Sequence, residues 1–402
     1  MEKSKINKIK ETIIESGLNS TTHGPPHILK SKRLMTKLMW YVCTLISTVA
    51  CSYLMIKTIL TFINFDHVTN LENVFEQPTQ FFTIQFCSKD ARSFNNKSLN
   101  KDLLKQCVFN YDSACLIQPQ NFFESYIDPT YNQCFRFNSG KNMSSQAIQI
   151  LNSTIGGKDD SLIMEIFAPS GLVFWIHNYT TPPRRQYKNN HNGDIQFASA
   201  GWETQVVIDR TFEYKLDYPY SNCLKDPRTF QRNMTIINFM IKNNVPYSQV
   251  NCLELCFDMQ YLIDNPCNCT NASLGNIWDN CYGRLNQISN YSSCTLNYKT
   301  SWYKQKLDEN YAEFCPLECD SMSYTVSTRT LSNVYSINNS YIQAYYNKLK
   351  YQVISETPQM QLLELVSYIG GITGLFLGSS FLSFIEIFEV LIEIAFILIS
   401  SR

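Results

Sequence analysis

Histidine is scarce in this 402-residue chain, and none of the five, His23, His27, His67, His177 and His191, stands in an HExxH arrangement. A GxSxG elbow, a Walker loop and a GxGxxG turn are absent too, and with them the local geometries that expose a nucleophile or cradle a phosphate. Enzymatic chemistry is therefore left without residues to carry it: no catalytic residue, metal ligand or cofactor is assigned. His177, in VFWIHN, alternates with bulky apolar residues and reads as a structural strand residue rather than a base. Net charge is missing as well. The 34 Lys+Arg balance 34 Asp+Glu, which removes the basic field that nucleic-acid binding requires. No internal repeat, low-complexity linker or second ectodomain boundary divides the chain.

What the chain does have is two apolar runs of membrane length. The first, Leu38 to Ile63, carries one charge, Lys57, near its far end where a long stem reaches the interface. It lies too deep in the chain and runs too long for a cleaved signal peptide, so it reads as a signal anchor. The second run, residues 361–400, exceeds the roughly 30 Å hydrocarbon core at ~1.5 Å per residue, so it must tilt, break or project. Lys3, Lys5, Lys8, Lys10, Lys30, Lys32, Arg33 and Lys37 precede the first span, and cytoplasmic flanks collect positive residues. Residues 1–37 are thus expected inside the cell, residues 64–360 outside, and residues 401–402 inside again: a multi-pass plasma-membrane protein set in the lipid bilayer.

The outer segment has the marks of a secreted fold. Sequons stand at Asn96, Asn142, Asn152, Asn178, Asn233, Asn268, Asn271, Asn290 and Asn338. Of 15 cysteines, Cys43 and Cys51 lie in the first span and the remaining thirteen crowd the outer segment, where an oxidising compartment favours disulfides over zinc thiolates. Strand-like runs such as FFTIQFC, SLIMEIFA and LVFWIHN are separated by Gly, Pro and Asn turns, and a helical pattern over Ser248 to Asp264 puts Cys252 and Cys256 one turn apart. One disulfide-rich α+β ectodomain between two transmembrane helices is the expected fold class.

The second span is unusual for a lipid-facing helix. Ser379, Ser383, Glu386, Glu389 and Glu393 recur at steps of three or four and so share one helical face, while Gly370, Gly374 and Gly378 form a small-residue series. An ionised side chain at the bilayer centre costs roughly 2.5–3.5 kcal/mol on insertion scales. Two readings follow: the stripe lines a pore built from several copies, or Glu389 and Glu393 merely sit at the cytoplasmic headgroups while the serines bond back to their own helix.

YIGGITGLFLGSSFLSFIEIFE closely resembles the pore segment of the degenerin, epithelial sodium channel and acid-sensing ion channel family. His23-Gly24, FDHVT (65–69), CFRFNSG (134–140), GLVFWIHN, PYSNC (219–223), YSQVNCLELC (247–256) and CPLEC (315–319) extend the resemblance in family order over nearly the whole chain. It implies a homotrimer, or a heterotrimer with related subunits, each shaped like a hand with palm, β-ball, helical finger (about 88–133) and thumb (about 224–319). The pore would be sodium-permeable and amiloride-sensitive, opened by an extracellular peptide, by protons or by mechanical load, with Na+ as the permeant ion. Gly378, Ser379 and Ser380 fall on the selectivity filter, where the family interrupts the helix, and Glu386 and Glu389 on its cytoplasmic carboxylates. His23, Gly24 and Ser367 fall on gating positions, as do Phe65 and Tyr220, which in relatives form an aromatic pair. A non-conducting accessory subunit or receptor of the same fold is the alternative function; a purinergic-type trimer lacks the Gly-x-Ser motif.

The same resemblance implies disulfides Cys87–Cys134, Cys107–Cys115, Cys223–Cys319, Cys252–Cys315, Cys267–Cys294 and Cys269–Cys281, with Cys256 left as a free thiol because Glu313 stands where relatives carry its partner. Departures from the family are FFTIQ in place of FPAVT, a shortened finger and the lack of a cytoplasmic tail motif.

Overall fold

The structure, a computed structural model, describes residues 2–399 apart from 23, 92, 95–97, 129–130, 143, 146, 181–194, 230–233, 244, 268–273, 275–293, 295–296, 303–304, 306–314 and 332–335. It divides into a helical unit, Met1–Val68 with Thr357–Arg402, and a sheet-rich unit, Thr69–Glu356.

Among its described residues the first unit is built from α1 (Glu2–Asn19), α2 (Gly24–Lys30), α3 (Leu34–Ile63), α8 (Leu362–Leu377) and α9 (Phe381–Ile399). Among the described residues, α3 alone is long and apolar enough to cross a membrane; it starts four residues ahead of the apolar run, and α8 is a shorter apolar helix. Ile46, Val49, Tyr53 and Ile56 on α3 are 58–66% exposed, a surface that water would not tolerate over such a length. The hydroxyls of Thr44, Thr48, Thr58 and Thr61 donate to the carbonyls of Trp40, Thr44, Leu54 and Lys57 at 2.7–3.1 Å, so these polar side chains are satisfied within the helix that carries them. α3 packs along α8, and α1 along α9.

The second unit has two main sheets. One runs β12-β11-β13-β8-β4, with β1 also paired to β13; the other runs β10-β9-β3-β6-β5. Their ranges are β1 His67–Phe75, β3 Thr83–Ser88, β4 Leu104–Phe109, β5 Phe123–Asp128, β6 Asn132–Phe137, β8 Leu162–Phe167, β9 Leu172–His177, β10 Gln196–Ala198, β11 Glu203–Tyr214, β12 Asp320–Leu331 and β13 Asn339–Pro358; β2 (Thr79–Gln80) and β7 (Asn152–Ser153) form a separate two-stranded ladder. Side chains alternate across a strand, and on β9 Leu172, Phe174 and Ile176 enter the core between the sheets, while Val173 and Trp175 pack beside Cys87, Cys134 and Tyr126 on the other face. Both faces being covered explains why LVFWIH is an unbroken apolar run. His177 is buried in this strand with both ring nitrogens bonded, Nε2 to Gln85 Oε1 at 3.1 Å and Nδ1 to the Asn178 carbonyl at 2.9 Å.

The absent proline of FFTIQ is replaced by aromatic packing. Phe81 and Phe82 stack at 4.0 Å, Phe81 meets Phe109 edge-on at 4.7 Å, and Phe82 meets Tyr346 edge-on at 5.0 Å. The helical finger implied by the resemblance is corrected here. Among the described residues of 88–133, helix is confined to two single turns, α4 (Ala114–Ile117) and α5 (Pro119–Phe122), because β4 and β5 take up the short segment into the two sheets. Between β11 and β12 lie α6 (Met234–Lys242) and α7 (Gln249–Asp264), the latter capped by Ser248, whose side chain accepts the Asn251 N–H at 3.1 Å.

Near the base of the first sheet the buried Arg210 donates to Glu76 and lies over the Tyr351 ring at 4.8 Å and the Phe212 ring at 5.1 Å. Burial pushes the Glu76 carboxyl up, but bonds from Arg210 and Thr79 outweigh it and hold the group below its ordinary 4.5. A lowered folded-state pKa gives stability that is present above the unfolded value and lost as pH falls through the folded one. Glu76→Gln is therefore expected to cost about 1–2 kcal/mol near neutral pH, the half-exposed carboxylate discounting the buried-pair figure. In thermal unfolding of the purified protein, the gap between wild type and variant should narrow as pH drops below the usual carboxylate range. A gap that stays constant on acidification contradicts the assignment.

Candidate pore-lining site

The second apolar run is two helices, not one. α8 opens with a capping box: the Gln361 N–H donates to Glu364 Oε2 at 2.9 Å, and the Gln361 side chain accepts the Glu364 N–H. It closes at Gly378, which adopts the left-handed conformation (φ 63°, ψ 20°) that glycine enters without steric cost. Gly378, Ser379 and Ser380 carry the chain into α9 under side-chain control. The Gly378 N–H still reaches the Gly374 carbonyl at 3.0 Å, Ser379 Oγ donates to the Thr373 carbonyl at 3.2 Å, and Ser383 Oγ accepts the Ser380 N–H at 3.0 Å. Serine is suited to this junction because its hydroxyl both donates and accepts.

The break corrects the expected stripe. Ser379 precedes α9 and Gly378 is a cap, so neither keeps the helical register that sequence spacing assigned to it. The stripe that stays on one helix is Ser383, Glu386, Glu389 and Glu393, confined to roughly one third of the circumference at ~100° per residue. Ile385, Phe388, Leu391, Ile392 and Phe396 occupy the rest and are 50–68% exposed. On α8 an added Cβ at Gly370 or Gly371 would meet nothing within 4 Å beyond its own helical backbone among the described residues, and at Gly374 the Ser379 carbonyl at 3.7 Å. Ser367, exposed on the same helix, donates to the Leu363 carbonyl at 2.8 Å.

The segment before α3 reaches this site. The Thr21 N–H and hydroxyl both donate to Glu386 Oε2 at 3.2 Å, and the same hydroxyl lies 2.7 Å from Ser383 Oγ. Three residues on, Gly24 lies so close to α3 that a Cβ there would sit 2.7 Å from both Oγ1 and Cγ2 of Thr44, and His27 stacks on Trp40 at 4.3 Å. His23 lies outside the described residues. Thr21 is the site residue that sequence reading missed. Its partners are 362 and 365 positions away, beyond any local periodicity.

The other expected positions fall in both units. Phe65 follows α3 with φ 53° and its ring 6.4 Å from that of Phe62. In the sheet-rich unit, Tyr220 sits in a turn, its N–H on the Asp217 carbonyl at 3.0 Å. Disulfides join Cys87 to Cys134, Cys107 to Cys115, Cys223 to Cys319, Cys252 to Cys315 and Cys267 to Cys294. Cys269 and Cys281 lie outside the described residues. Cys256 keeps its thiol, with Sγ 3.6 Å from Cys315 Sγ.

Comparison with known proteins gives this geometry a context. A sequence model described as "Amiloride-sensitive sodium channel" matches residues 17–101 and 88–390. The bile acid-sensitive ion channel of Mus musculus is 24% identical over an alignment covering 73% of this chain and 59% of that protein, so the chain spans about three fifths of that relative's length. The acid-sensing ion channel 1A of Danio rerio is 22% identical, covering 93% of this chain and 86% of the relative. The degenerin del-1 of Caenorhabditis elegans is 25% identical over 71% of this chain and 45% of its own.

Gly24 gives a test of the close approach. Gly24→Ala should overpack its contact with α3 by about 1–3 kcal/mol, lowering surface abundance and the unfolding temperature of purified protein. Thr44→Ala, which removes both clashing atoms, should restore the double variant. Failure of that rescue would mean that the two residues do not meet.

Proposed function

The chain belongs to the amiloride-sensitive sodium channel family, and on that premise we propose that it is a subunit of a trimeric, sodium-permeable and amiloride-sensitive cation channel of the plasma membrane. α3 and the α8–α9 pair form its two membrane spans, both termini face the cytoplasm, and copies of α8–α9 surround the conduction path. The break at Gly378, Ser379 and Ser380 carries this reading. Carbonyls and hydroxyls released from helical pairing, repeated around an axis, form an oxygen-rich belt of small residues that replaces part of a cation's hydration shell. Rings of Glu386 and Glu389 below it concentrate cations at the inner mouth. His23, Gly24, Ser367, Phe65 and Tyr220 are its gating residues, and the opening stimulus is an extracellular peptide, protons or mechanical load.

The deciding experiment is expression of the chain alone in oocytes under voltage clamp, with protons, candidate peptides and membrane stretch applied and amiloride added. Amiloride-blocked inward sodium current supports the proposal. Silence alone, with current restored by a related subunit, assigns the chain an accessory role; a surface-resident chain that stays silent with every partner overturns the channel reading.

Two variants refine it. Ser380→Cys or Gly378→Cys should shift bi-ionic reversal potentials by admitting larger cations, and an unchanged sodium-over-potassium preference in conducting variants removes these residues from the filter. Ser367→Phe should raise basal current, because filling a position where helices converge costs the closed packing about 1–3 kcal/mol. A variant that closes normally contradicts that placement.

A further inference from the structure

α7 carries Cys252 and Cys256 four residues apart, so both face the same side one turn from each other. Opposite them stands Cys315, at the start of the segment that leads into β12. Cys252 is bridged to Cys315, and Cys256 Sγ lies 3.6 Å from Cys315 Sγ, in van der Waals contact with a sulfur already in a disulfide. All three sulfurs lie within 4.8 Å of one another. Cys252 and Cys315 are fully buried, whereas Cys256 is half-buried.

The framework around them is fixed independently of the bridge. Tyr247 Oη donates to the Pro316 carbonyl at 2.7 Å, Gln249 Nε2 to the Cys315 carbonyl at 2.9 Å, and the Gln249 N–H to Glu318 Oε2 at 2.9 Å. Cys319 is bonded to Cys223, and Leu224 exchanges backbone hydrogen bonds with Leu317 and Cys319 at 2.7 and 3.2 Å. Opening the Cys252–Cys315 bond therefore leaves Cys315 held against the α7 face that bears both candidate partners.

We propose that Cys315 is shared between two disulfide isomers, Cys252–Cys315 and Cys256–Cys315, which interconvert by intramolecular thiol–disulfide exchange. The Cys256 thiol gives its proton to solvent, and its thiolate attacks Cys315 Sγ. The Cys256–Cys315 bond forms as the Cys252–Cys315 bond breaks, and Cys252 leaves as a thiolate that takes up a proton. No net oxidation occurs and no external oxidant or reductant is consumed. Each isomer staples the entry to β12 to a different turn of α7, and the remaining thiol moves from a half-buried position to a fully buried one. The proposal stands apart from the pore assignment.

Non-reducing peptide mapping of the full-length protein tests it. Membranes from expressing cells are held at physiological temperature without added thiol, quenched in denaturing acid, and alkylated with excess maleimide. Two species are expected: Cys252–Cys315 with the label on Cys256, and Cys256–Cys315 with the label on Cys252, the loss of label at one site over time matching the gain at the other. In Cys252→Ser the Cys256–Cys315 bridge should be recovered. Cys252–Cys315 as the sole bridged species at every time in the wild type overturns the proposal on its own, whether or not the variant folds. So does surface-resident Cys252→Ser protein with both Cys256 and Cys315 labelled.

Discussion

A polypeptide inside a bilayer has no water to satisfy its backbone, so a helix can break there only where something else takes up the bonds it gives away. The second apolar run carries a break of this kind at Gly378. The left-handed glycine turns the chain, its N–H stays on the Gly374 carbonyl, and Ser379 and Ser383 supply hydroxyls to the Thr373 carbonyl and the Ser380 N–H. The other features of this unit follow from that break. It ends α8 at Leu377, it resets the register so that Ser383 and the glutamates share one face of α9, and it leaves that face where Thr21 can bond Glu386 and Ser383.

The sheet-rich unit obeys a different economy. It keeps water off its sheets with aromatic rings from Phe81, Phe82, Phe86, Phe135 and Phe137, and ties distant segments together with disulfides. Its charged groups are placed where partners exist. Arg210 is buried only because Glu76 and two aromatic rings meet it. Arg136 is likewise buried against Glu124 at 3.1 Å.

Much of this was legible in the sequence, for identifiable reasons. Apolar length marked α3, and cysteine density marked a disulfide-bonded unit, since both signals depend on composition alone. The LVFWIHN strand was legible because burial on both faces leaves a continuous apolar run. The second apolar run was legible as a family motif but not in detail. Periodicity presumes an unbroken helix, so Ser379 was placed on a face it does not share once Gly378 turns the chain. Thr21 and Thr44 stayed hidden because what marks them is proximity across hundreds of residues for one, and the lack of a Cβ on Gly24 for the other. The finger misled because a family-level helix cannot be scaled down to a segment whose residues pair into sheets.

The central claim, that the break and the carboxylate face of α9 line a cation path, is tested most directly by cysteine accessibility. Single cysteines placed at 379, 380, 383 and 386, and at 385, 388 and 392, are exposed during recording to a small thiol-reactive cation. The account predicts that modification blocks current at the first four positions and leaves it unchanged at the last three. Block at 385, 388 and 392 with none at 380, 383 and 386 would turn the helix around and contradict it.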